Sequence, residues 1–373
     1  MPHIVVIGGG FAGVWSAASA AQVRHSTGAE LRITLIAPQR DLVLRPRLYE
    51  ADPSRATVAL DRILKPIGVD HVRASVRRID VARRRVTTDD GRDIDYERLV
   101  LAAGSRLIRP ELPGADRLFD IDTLGGAQRL QAHLRKRSGF HATVVGSGFT
   151  GLELATELAS RGRVLLVDRA TEVGPELGAG PRPQILTALD ELGIVCRLGV
   201  TVTEVGDGFA ELSDGSRIDT DAVVWTAGLQ ASPLTLQIPG PRDQLGRLQV
   251  DEWLRVTEDV FAAGDTAAAR IDPDHSTVQS CQYAVPLGKT AGHNAAADLL
   301  GLAALPFAPD PYVTCLDLGA AGALLTDGWD RRVQASGSEG KKIKKYIMQL
   351  IHPPVDDADA IFTAAREIRG RDV

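Results

Sequence analysis

Apolar residues in this chain form short unbroken runs, and two of these runs are followed by a glycine-rich turn and a helix. The run Ile4-Val5-Val6-Ile7 predicts a buried strand, with a glycine turn over 8–13 and then a helix of small residues. The same order returns at 141–158, with a second buried strand, a second glycine turn and a second helix. The pattern therefore predicts two α/β units of similar build.

The elements after each glycine turn also repeat. A returning strand is followed by a β-meander and by a buried strand ending in Ala-Gly, and this order occurs in both halves. In the first half, Leu60, Ile63, Leu64 and Ile67 stand at helical spacing, and His71–Ile79 is predicted as one strand. The chain re-enters the first unit with a strand near 260, followed by a long helix over about 282–300. The predicted divisions are 1–113 and 241–305 for the first domain, 114–240 for the second, and 306–373 for a C-terminal region of strands and then helix.

Both glycine turns fit the spacing G-x-G-x-x-G between a strand and a helix. The first glycine makes the tight turn, the second lets backbone approach a pyrophosphate, and the third packs the helix on the strand. The helix N-terminus then faces the phosphate charge. A single such turn could be an ordinary glycine-rich turn, but two in full βα units strongly indicate nucleotide binding. The glycines are Gly8, Gly10 and Gly13 in the first turn, and Gly146, Gly148 and Gly151 in the second.

The residue that follows the second strand of each unit differs between the halves. In a dinucleotide fold this position usually holds an acid that binds the ribose hydroxyls. The first unit has Ala37, so either backbone, Gln39 or Asp41 holds the ribose there, or this site binds its nucleotide weakly. The second unit has Asp168, which would repel a 2′-phosphate and so favours NADH over NADPH. Arg169 beside it could tolerate a phosphate.

Composition excludes several classes of function. The 373-residue chain has a formal net charge of −5 and no long basic run beyond one short C-terminal cluster, so nucleic acid is not an expected partner. The sequence contains no run of about 18 apolar residues, so it predicts no membrane-spanning helix. The first strand begins too early for a cleaved signal peptide. Three widely spaced cysteines and eight histidines show no metal-ligand spacing, so we expect no metal site and a cytoplasmic, reducing location.

The motifs together resemble those of the FAD- and NAD(P)H-dependent pyridine nucleotide oxidoreductases. They are VVIGGGFAG, LVLAAGS, VVGSGFTGLELA, VVWTAGL and VFAAGD, in that order. Within this class the chain is most similar to type II NADH dehydrogenases and apoptosis-inducing-factor-like flavoproteins, on the segments RPRLYEAD and CQYAVPLGKTAGHNAA. The resemblance implies an α/β fold with two Rossmann-like dinucleotide-binding domains and a small C-terminal region.

The resemblance also assigns roles to residues. Asp265 would bond the ribityl chain, and the N-terminus of the helix from Gln282 would face the flavin O2 edge. Glu153 and Gln282 would act in catalysis, Glu153 near the nicotinamide; the alternative for Glu153 is an ordinary acid in the first turn of a helix. The implied FAD contacts are Gly8, Gly10, Phe11, Ala12, Gly13, Arg45, Val76, Ala103, Gly104, Gly264, Asp265, Gln282 and Tyr283. The implied NADH contacts are Gly146, Gly148, Gly151, Asp168 and Gly228.

Departures from the family pattern restrict the chemistry. No cysteine pair follows the first glycine turn and the loop 41–50 has no cysteine, so disulfide reduction is not expected. A sulfide-oxidising relay would need a pair of cysteines. Only Cys281 is expected near the flavin, since Cys196 is predicted to lie in a strand and Cys315 has no predicted position. In the AQxAxQ-type segment Gln282 and Ala284 match, but Pro286 replaces the second glutamine.

The expected function is hydride transfer from NADH to FAD and on to an organic, small-molecule acceptor, with a quinone favoured. One alternative is a biosynthetic oxidase or dehydrogenase, or a ferredoxin-type reductase. Another is a non-catalytic NAD(H)-sensing or interaction protein on the same scaffold. A homodimer is one possible oligomeric state, and the sequence does not decide it.

The C-terminal cluster EGKKIKKYIMQLI predicts one more helix, over 339–351. Its apolar residues stand at helical spacing and define one face: Ile343, Tyr346, Ile347, Leu350 and Ile351. The favoured interpretation packs this face on the protein and leaves all the neighbouring lysines solvated. The alternative is an interfacial helix on anionic lipid, which the nearby acids at 356, 357 and 359 disfavour. We therefore expect no binding to anionic vesicles.

Overall fold

The computed structural model describes residues 1–137 and 139–367. The first part of the chain alternates strands with a long helix and one short helix, joined by single turns of 3₁₀ helix. Its elements are β1 (His3–Ile7), α1 (Phe11–Thr27), β2 (Arg32–Ile36), β3 (Asp41–Val43), β4 (Thr57–Ala59), α2 (Asp61–Leu64), β5 (Asp70–Val72), β6 (Val76–Asp80), β7 (Arg85–Thr88), β8 (Asp93–Asp95), β9 (Arg98–Leu101) and β10 (Ser105–Leu107).

The middle of the chain repeats this order of elements. They are α3 (Leu124–Leu134), β11 (His141–Val145), α4 (Phe149–Leu158), β12 (Arg163–Asp168), α5 (Arg182–Glu191), β13 (Val195–Leu198), β14 (Val202–Val205), β15 (Phe209–Leu212), β16 (Arg217–Asp219), β17 (Ala222–Trp225) and β18 (Leu229–Ala231). The remaining elements are β19 (Leu248–Gln249), β20 (Arg255–Thr257), β21 (Val260–Ala262), β22 (Ala267–Ala268), α6 (Cys281–Leu299), β23 (Val313–Asp317), β24 (Ala323–Asp327), β25 (Arg332–Ala335), α7 (Gly337–Leu350) and α8 (Ala358–Arg366).

Two sheets carry the architecture. The first has the strand order β20-β21-β9-β1-β2-β5, and the second has the order β13-β12-β11-β17. Strand β21 pairs in parallel with β9, so the chain returns to the first sheet after completing the second. Each sheet has a three-stranded antiparallel meander beside it in the chain, β6-β7-β8 and β14-β15-β16. The predicted α/β class with two dinucleotide-binding folds is confirmed.

Helices α1 and α6 pack against each other through small residues. A Cβ at Gly288 would lie 2.4 Å from the Ala12 carbonyl oxygen, and one at Gly292 would lie 2.0 Å from that of Ser16. The Ser16 hydroxyl donates to the Gly288 carbonyl at 3.0 Å, which joins the two helices at the same level. The glycines therefore bring the backbone of α6 directly onto α1, and the N-terminal ends of both helices lie at one end of the first sheet.

Two predicted elements in the first unit differ from the structure. Residues 71–79 form two strands because the chain turns at Ala74–Ser75, where the Ser75 N–H donates to Asp89 instead of continuing the ladder. The helix predicted around Leu60–Ile67 is only the short α2, and the chain leaves it through a turn at Gly68, which has φ of +60°. The apolar side chains of that stretch are buried as their spacing indicates.

The rotation of helix α7 contradicts the favoured sequence interpretation. A Cβ at Gly340 would lie 2.1 Å from the Ala323 carbonyl oxygen, so this face of the helix lies directly on strand β24. The position one turn later on the same face is Lys344, which is only 7% exposed. Tyr346 and Leu350, predicted to pack inward, are 57% and 56% exposed. The prediction that every lysine of this helix is solvated is therefore wrong.

None of the helices within the described ranges combines the length and apolar character needed to cross a bilayer.

Replacing Gly292 with Ala should lower the free energy of unfolding by about 1–3 kcal/mol, because the added methyl group must push α6 away from the α1 backbone. The matched control is Gly125→Ala at the exposed start of α3. The nearest side-chain atom among the described residues, Arg129 Nη1, lies 3.8 Å from the new Cβ position, so this change is expected to be neutral or stabilising by up to about 1 kcal/mol. Urea denaturation measures both. Equal free energies for the two variants would contradict the packing described.

Candidate active site

The first glycine turn leaves an open cradle at the start of α1. Gly8 has φ of +119°, and a Cβ there would lie 2.1 Å from the Ala102 carbonyl oxygen, so only glycine fits. A Cβ at Gly13 would lie 1.8 Å from the Gly8 carbonyl oxygen, which fixes the start of α1 against the turn. Among residues 1–137 and 139–367, no atom lies within 4 Å of the Cβ position of Gly10, and no side chain caps the helix. The turn thus has the shape and the free amides that a dinucleotide pyrophosphate requires.

The predicted residues Arg45, Gly104 and Asp265 lie together beside this cradle. The Ser105 hydroxyl, next to Gly104, donates to Asp265 Oδ2 at 2.6 Å. Arg45 Nη1 donates to Ser105 Oγ at 3.0 Å and lies 3.5 Å from Asp265 Oδ2, while its Nη2 pairs with Asp122. Arg45 therefore connects the loop after β3 to the chain that leads into the second unit.

The position predicted to face the FAD ribose holds a buried alanine. Ala37 is fully buried, and its carbonyl oxygen lies 3.1 Å from His71 Nε2. Gln39 and Asp41 are the two side chains proposed to bind the ribose in place of an acid. Gln39 is the nearer of them to the glycine turn, with its Oε1 3.9 Å from the Cβ position of Gly9. Val76 stands at the start of β6, where it pairs with Thr88.

The first turn of α6 is bound to the C-terminal region. Gln282 Nε2 donates to the Pro311 carbonyl at 3.1 Å, and its Oε1 accepts from the Val313 N–H at 3.3 Å. Tyr283 is buried and stacks on Tyr312, with ring centroids 5.5 Å apart. Both ends of the Gln282 amide thus hold the backbone that leads into β23 and its first residue, and the role of Gln282 in catalysis stays a prediction.

The second glycine turn has the same backbone geometry, but a side chain lies against it. A Cβ at Gly151 would lie 1.8 Å from the Gly146 carbonyl oxygen, as at the first turn. At Gly148, however, the Cβ position is 2.5 Å from Glu176 Oε1, and the same oxygen accepts from the Phe149 N–H at 3.2 Å. A carboxylate of the chain itself therefore occupies the N-terminus of α4.

Asp168 stands at the end of β12, next to this turn. Its Oδ2 accepts from the Ser147 N–H at 2.6 Å and from the Ser147 hydroxyl at 2.7 Å. Its Oδ1 accepts from the Ala170 N–H at 2.8 Å. The carboxylate is half-buried and fixed at the position where a dinucleotide fold binds ribose. Gly228, the last predicted contact of this unit, follows β17 with φ of +82°.

Glu153 on α4 forms a buried ion pair that the sequence did not indicate. Its Oε1 accepts from Lys344 Nζ at 2.7 Å and from the Asp317 N–H at 3.0 Å, and both side chains of the pair are more than nine-tenths buried. Burial raises the pKa of the Glu153 carboxyl, and the Lys344 ammonium opposes that shift. Glu153 is the fifth residue of α4, so the alternative of an ordinary acid in the first turn of a helix is wrong.

A second buried group of polar side chains adjoins this pair. Tyr49 donates to Asp317 Oδ2 at 3.1 Å, and Lys341 Nζ lies 2.5 Å from Asp317 Oδ1. Burial raises the pKa of the Tyr49 hydroxyl well above its ordinary value. Lys344 also donates to the Cys315 carbonyl at 3.0 Å, and burial raises the pKa of the Cys315 thiol to about 11. This thiol is protonated at neutral pH, which makes it a poor nucleophile.

Comparison with known proteins identifies the class to which this arrangement belongs. The family model described as pyridine nucleotide-disulphide oxidoreductase matches residues 2–288. The chain belongs to this family. It is 43% identical, over the full length of both chains, to an NADH dehydrogenase-like protein of Mycobacterium tuberculosis. It is 28% identical to a demethylphylloquinone reductase of Synechocystis, over 87% of this chain and 86% of that one.

The fold is also that of solved structures in the class. The ferredoxin reductase of the CYP199A2 system from Rhodopseudomonas palustris matches with a TM-score of 0.74 at 24% identity, over 87% of this chain and 82% of that chain. The predicted family and the prediction of an FAD-dependent NAD(P)H oxidoreductase are confirmed. The alternative of a non-catalytic sensor on the same scaffold is thereby left without support.

Replacing Lys344 with Met should lower the free energy of unfolding by about 3–5 kcal/mol at neutral pH, because Glu153 keeps a buried charge without a counter-ion. Protonation removes that charge, so the loss should shrink as the pH falls toward the ordinary carboxyl range of about 4–5. Lys345→Met, on the exposed side of the same helix, is the control and should change stability by less than about 1 kcal/mol.

Denaturation of the single variants and of the double variant Glu153→Gln, Lys344→Met measures this effect. The double variant removes both charges and should recover most of the lost stability. A Lys344→Met protein as stable as the Lys345→Met control at neutral pH would show that Glu153 does not depend on its lysine.

Proposed function

We propose that this protein transfers a hydride from NADH to bound FAD and passes the electrons to a quinone. The observation that carries the proposal is the pair of dinucleotide turns in one chain, the first with an open cradle at Gly10 and the second followed by the fixed carboxylate of Asp168. An open cradle suits a resident dinucleotide, and an acid at the ribose position suits NADH. NADPH is the disfavoured coenzyme because Asp168 would face its 2′-phosphate.

We assign the nucleotides to parts of the chain on the same basis. Residues 1–113 and 241–305 would hold FAD, residues 114–240 would hold NADH, and residues 306–373 would form the C-terminal region. The return of β21 to pair with β9 supports the grouping of the two FAD segments, because it completes the sheet that carries the first glycine turn. The chain would use Gly8, Gly10 and Gly13 for the pyrophosphate, and Arg45 would fix Asp265 near the ribityl chain.

Bound FAD would supply an acceptor for hydride at N5 and a donor of electrons to the second substrate. The protein's part is to orient the two substrates and to exclude water. The N-terminus of α6, capped by Ser280, would place its positive dipole end toward the charge that develops on the reduced ring. Glu153 lies on α4, the helix that begins at the second glycine turn, and its buried pair with Lys344 can hold protons at fixed positions.

A quinone is the favoured acceptor for two reasons. The 28% identical relative from Synechocystis is named for the reduction of a quinone, demethylphylloquinone. Quinone reduction also takes up protons together with electrons, and buried ionisable groups suit that chemistry. Pro286 in place of a second glutamine, and a Gln282 amide already bonded to backbone, mean that the quinone would be held by other groups than in the AQxAxQ pattern.

Anaerobic reduction tests this function. The purified protein should contain FAD or take it up at micromolar concentration, and NADH should bleach the flavin absorbance. Mixing the reduced protein separately with a naphthoquinone, a benzoquinone, oxygen and a ferredoxin should restore the absorbance fastest with a quinone. Reoxidation by oxygen or ferredoxin at least as fast as by either quinone would reject the proposed acceptor, and absence of flavin would reject the whole assignment.

The Asp168 carboxylate should set the preference for NADH. Wild type should have the higher kcat/KM with NADH, and Asp168→Ser should reduce that preference mainly by raising the KM for NADH, because the ribose loses its acceptor. Asp190→Ser, which removes the same charge from the exposed face of α5, is the matched control and should keep the preference. Equal rates of wild type with NADH and NADPH would refute the role of Asp168.

A further inference from the structure

The two glycine turns differ in what lies against their middle glycine. At Gly10 none of the described residues comes within 4 Å of the Cβ position, whereas at Gly148 the Cβ position is 2.5 Å from the carboxylate of Glu176. Glu176 Oε1 also accepts from the Phe149 N–H, the first amide of the ten-residue helix α4. Helix N-termini bind anions through such free amides. Glu176 therefore stands at the position that a pyrophosphate oxygen takes in a dinucleotide fold.

A buried guanidinium from the C-terminal region is bonded to the backbone of Glu176. Arg331, in the turn between β24 and β25, is only 8% exposed, and its Nη2 donates to the Glu176 carbonyl at 3.2 Å. The guanidinium carbon lies 4.7 Å from the centre of the Tyr312 ring and 5.6 Å from that of Phe149. Arg331 is thus held between the C-terminal region and the first residue of α4.

The other terminal nitrogen of this guanidinium has no hydrogen-bond partner within 3.5 Å among the described residues. Arg331 Nη1 is buried and makes no hydrogen bond to any atom of the part of the chain that the structure describes. A buried charged donor without an acceptor is costly, and native structures rarely keep one without a reason. An anion bound at the N-terminus of α4 would supply the missing acceptor, because Phe149 and Glu176 connect the two places.

We propose that Arg331 binds the pyrophosphate of the nicotinamide dinucleotide, and that Glu176 occupies the site until the dinucleotide displaces it. This proposal rests on the proposed NADH-dependent function. The phosphate would take over the Phe149 N–H from Glu176 and accept from Arg331 Nη1. Glu176 is exposed, so its carboxylate can turn toward solvent when the phosphate takes its place. The C-terminal region would then contribute directly to coenzyme recognition.

A purely structural Arg331 would behave differently. If it only packed on Tyr312 and held the loop at Glu176, its loss would lower stability and weaken all ligands of the second unit alike. A pyrophosphate-binding Arg331 instead discriminates ligands that carry a pyrophosphate from those that do not. Glu176 must then act in the opposite direction, because its charge competes with the phosphate for the same amide.

Calorimetric titration of the FAD-loaded protein tests the proposal with two probes, ADP-ribose and adenosine. Arg331→Gln should lower the affinity for ADP-ribose by about tenfold or more, which is the loss expected for a charge-assisted hydrogen bond. Its affinity for adenosine should be unchanged. Glu176→Gln should tighten ADP-ribose, since the competing charge is gone. The matched control is Arg332→Gln, whose side chain is 73% exposed and which should bind both probes as wild type does.

The outcomes separate this proposal from the proposed function. If wild type binds ADP-ribose and oxidises NADH but Arg331→Gln binds ADP-ribose as tightly as Arg332→Gln, the role of Arg331 is refuted and the function stands. If wild type binds neither ADP-ribose nor NADH, both fail. If Arg331→Gln does not fold, Arg331→Lys and Glu176→Gln test the proposal instead. The proposal is supported if Arg331→Lys binds ADP-ribose, but not adenosine, more weakly and if Glu176→Gln binds ADP-ribose more tightly. Unchanged affinity for ADP-ribose in both variants overturns it.

Discussion

Two glycine turns hold backbone atoms so close that no side chain fits between them, and the rest of the molecule is placed by this contact. In each turn the third glycine lies against the carbonyl of the first, with 1.8 Å between a Cβ position and that oxygen. The contact fixes where α1 and α4 begin and how they lie on their sheets. Helix α6 packs on α1 through Gly288 and Gly292, which fixes the position of α6 in the first unit.

The C-terminal region completes both units by supplying polar partners. Its backbone at Pro311 and Val313 binds the Gln282 amide of the first unit, and Lys344 neutralises Glu153 of the second. Arg331 reaches the start of α4 through the Glu176 loop. The C-terminal region is therefore bonded to elements of both units, to α6 of the first and to α4 and the Glu176 loop of the second.

Local pattern predicted the parts of the fold that depend on local geometry. The two glycine turns, their flanking strands and helices, and the position of Asp168 follow from spacing because each contact is made within one βα unit. Helix α7 was predicted, but its buried face was not. Hydrophobic periodicity assigns lysines to solvent, whereas Gly340 must face Ala323 and so turns Lys344 inward. Neither the partner of Lys344 nor the unpaired donor of Arg331 has a signal in the sequence, since both depend on residues far away in the chain.

The pairing of Glu153 with Lys344 has a consequence for synthesis, because 191 positions separate the two residues. A growing chain exposes its N-terminal units first, and domains generally begin to fold as they leave the ribosome. Throughout that interval α4 carries a carboxylate whose counter-ion has not yet been made. The nascent second unit must keep this acid hydrated or protonated, so its final closure waits for the last helices of the chain. A chain that ends before α7 would keep both glycine turns, but it would leave Glu153 hydrated or protonated and the second unit incompletely closed.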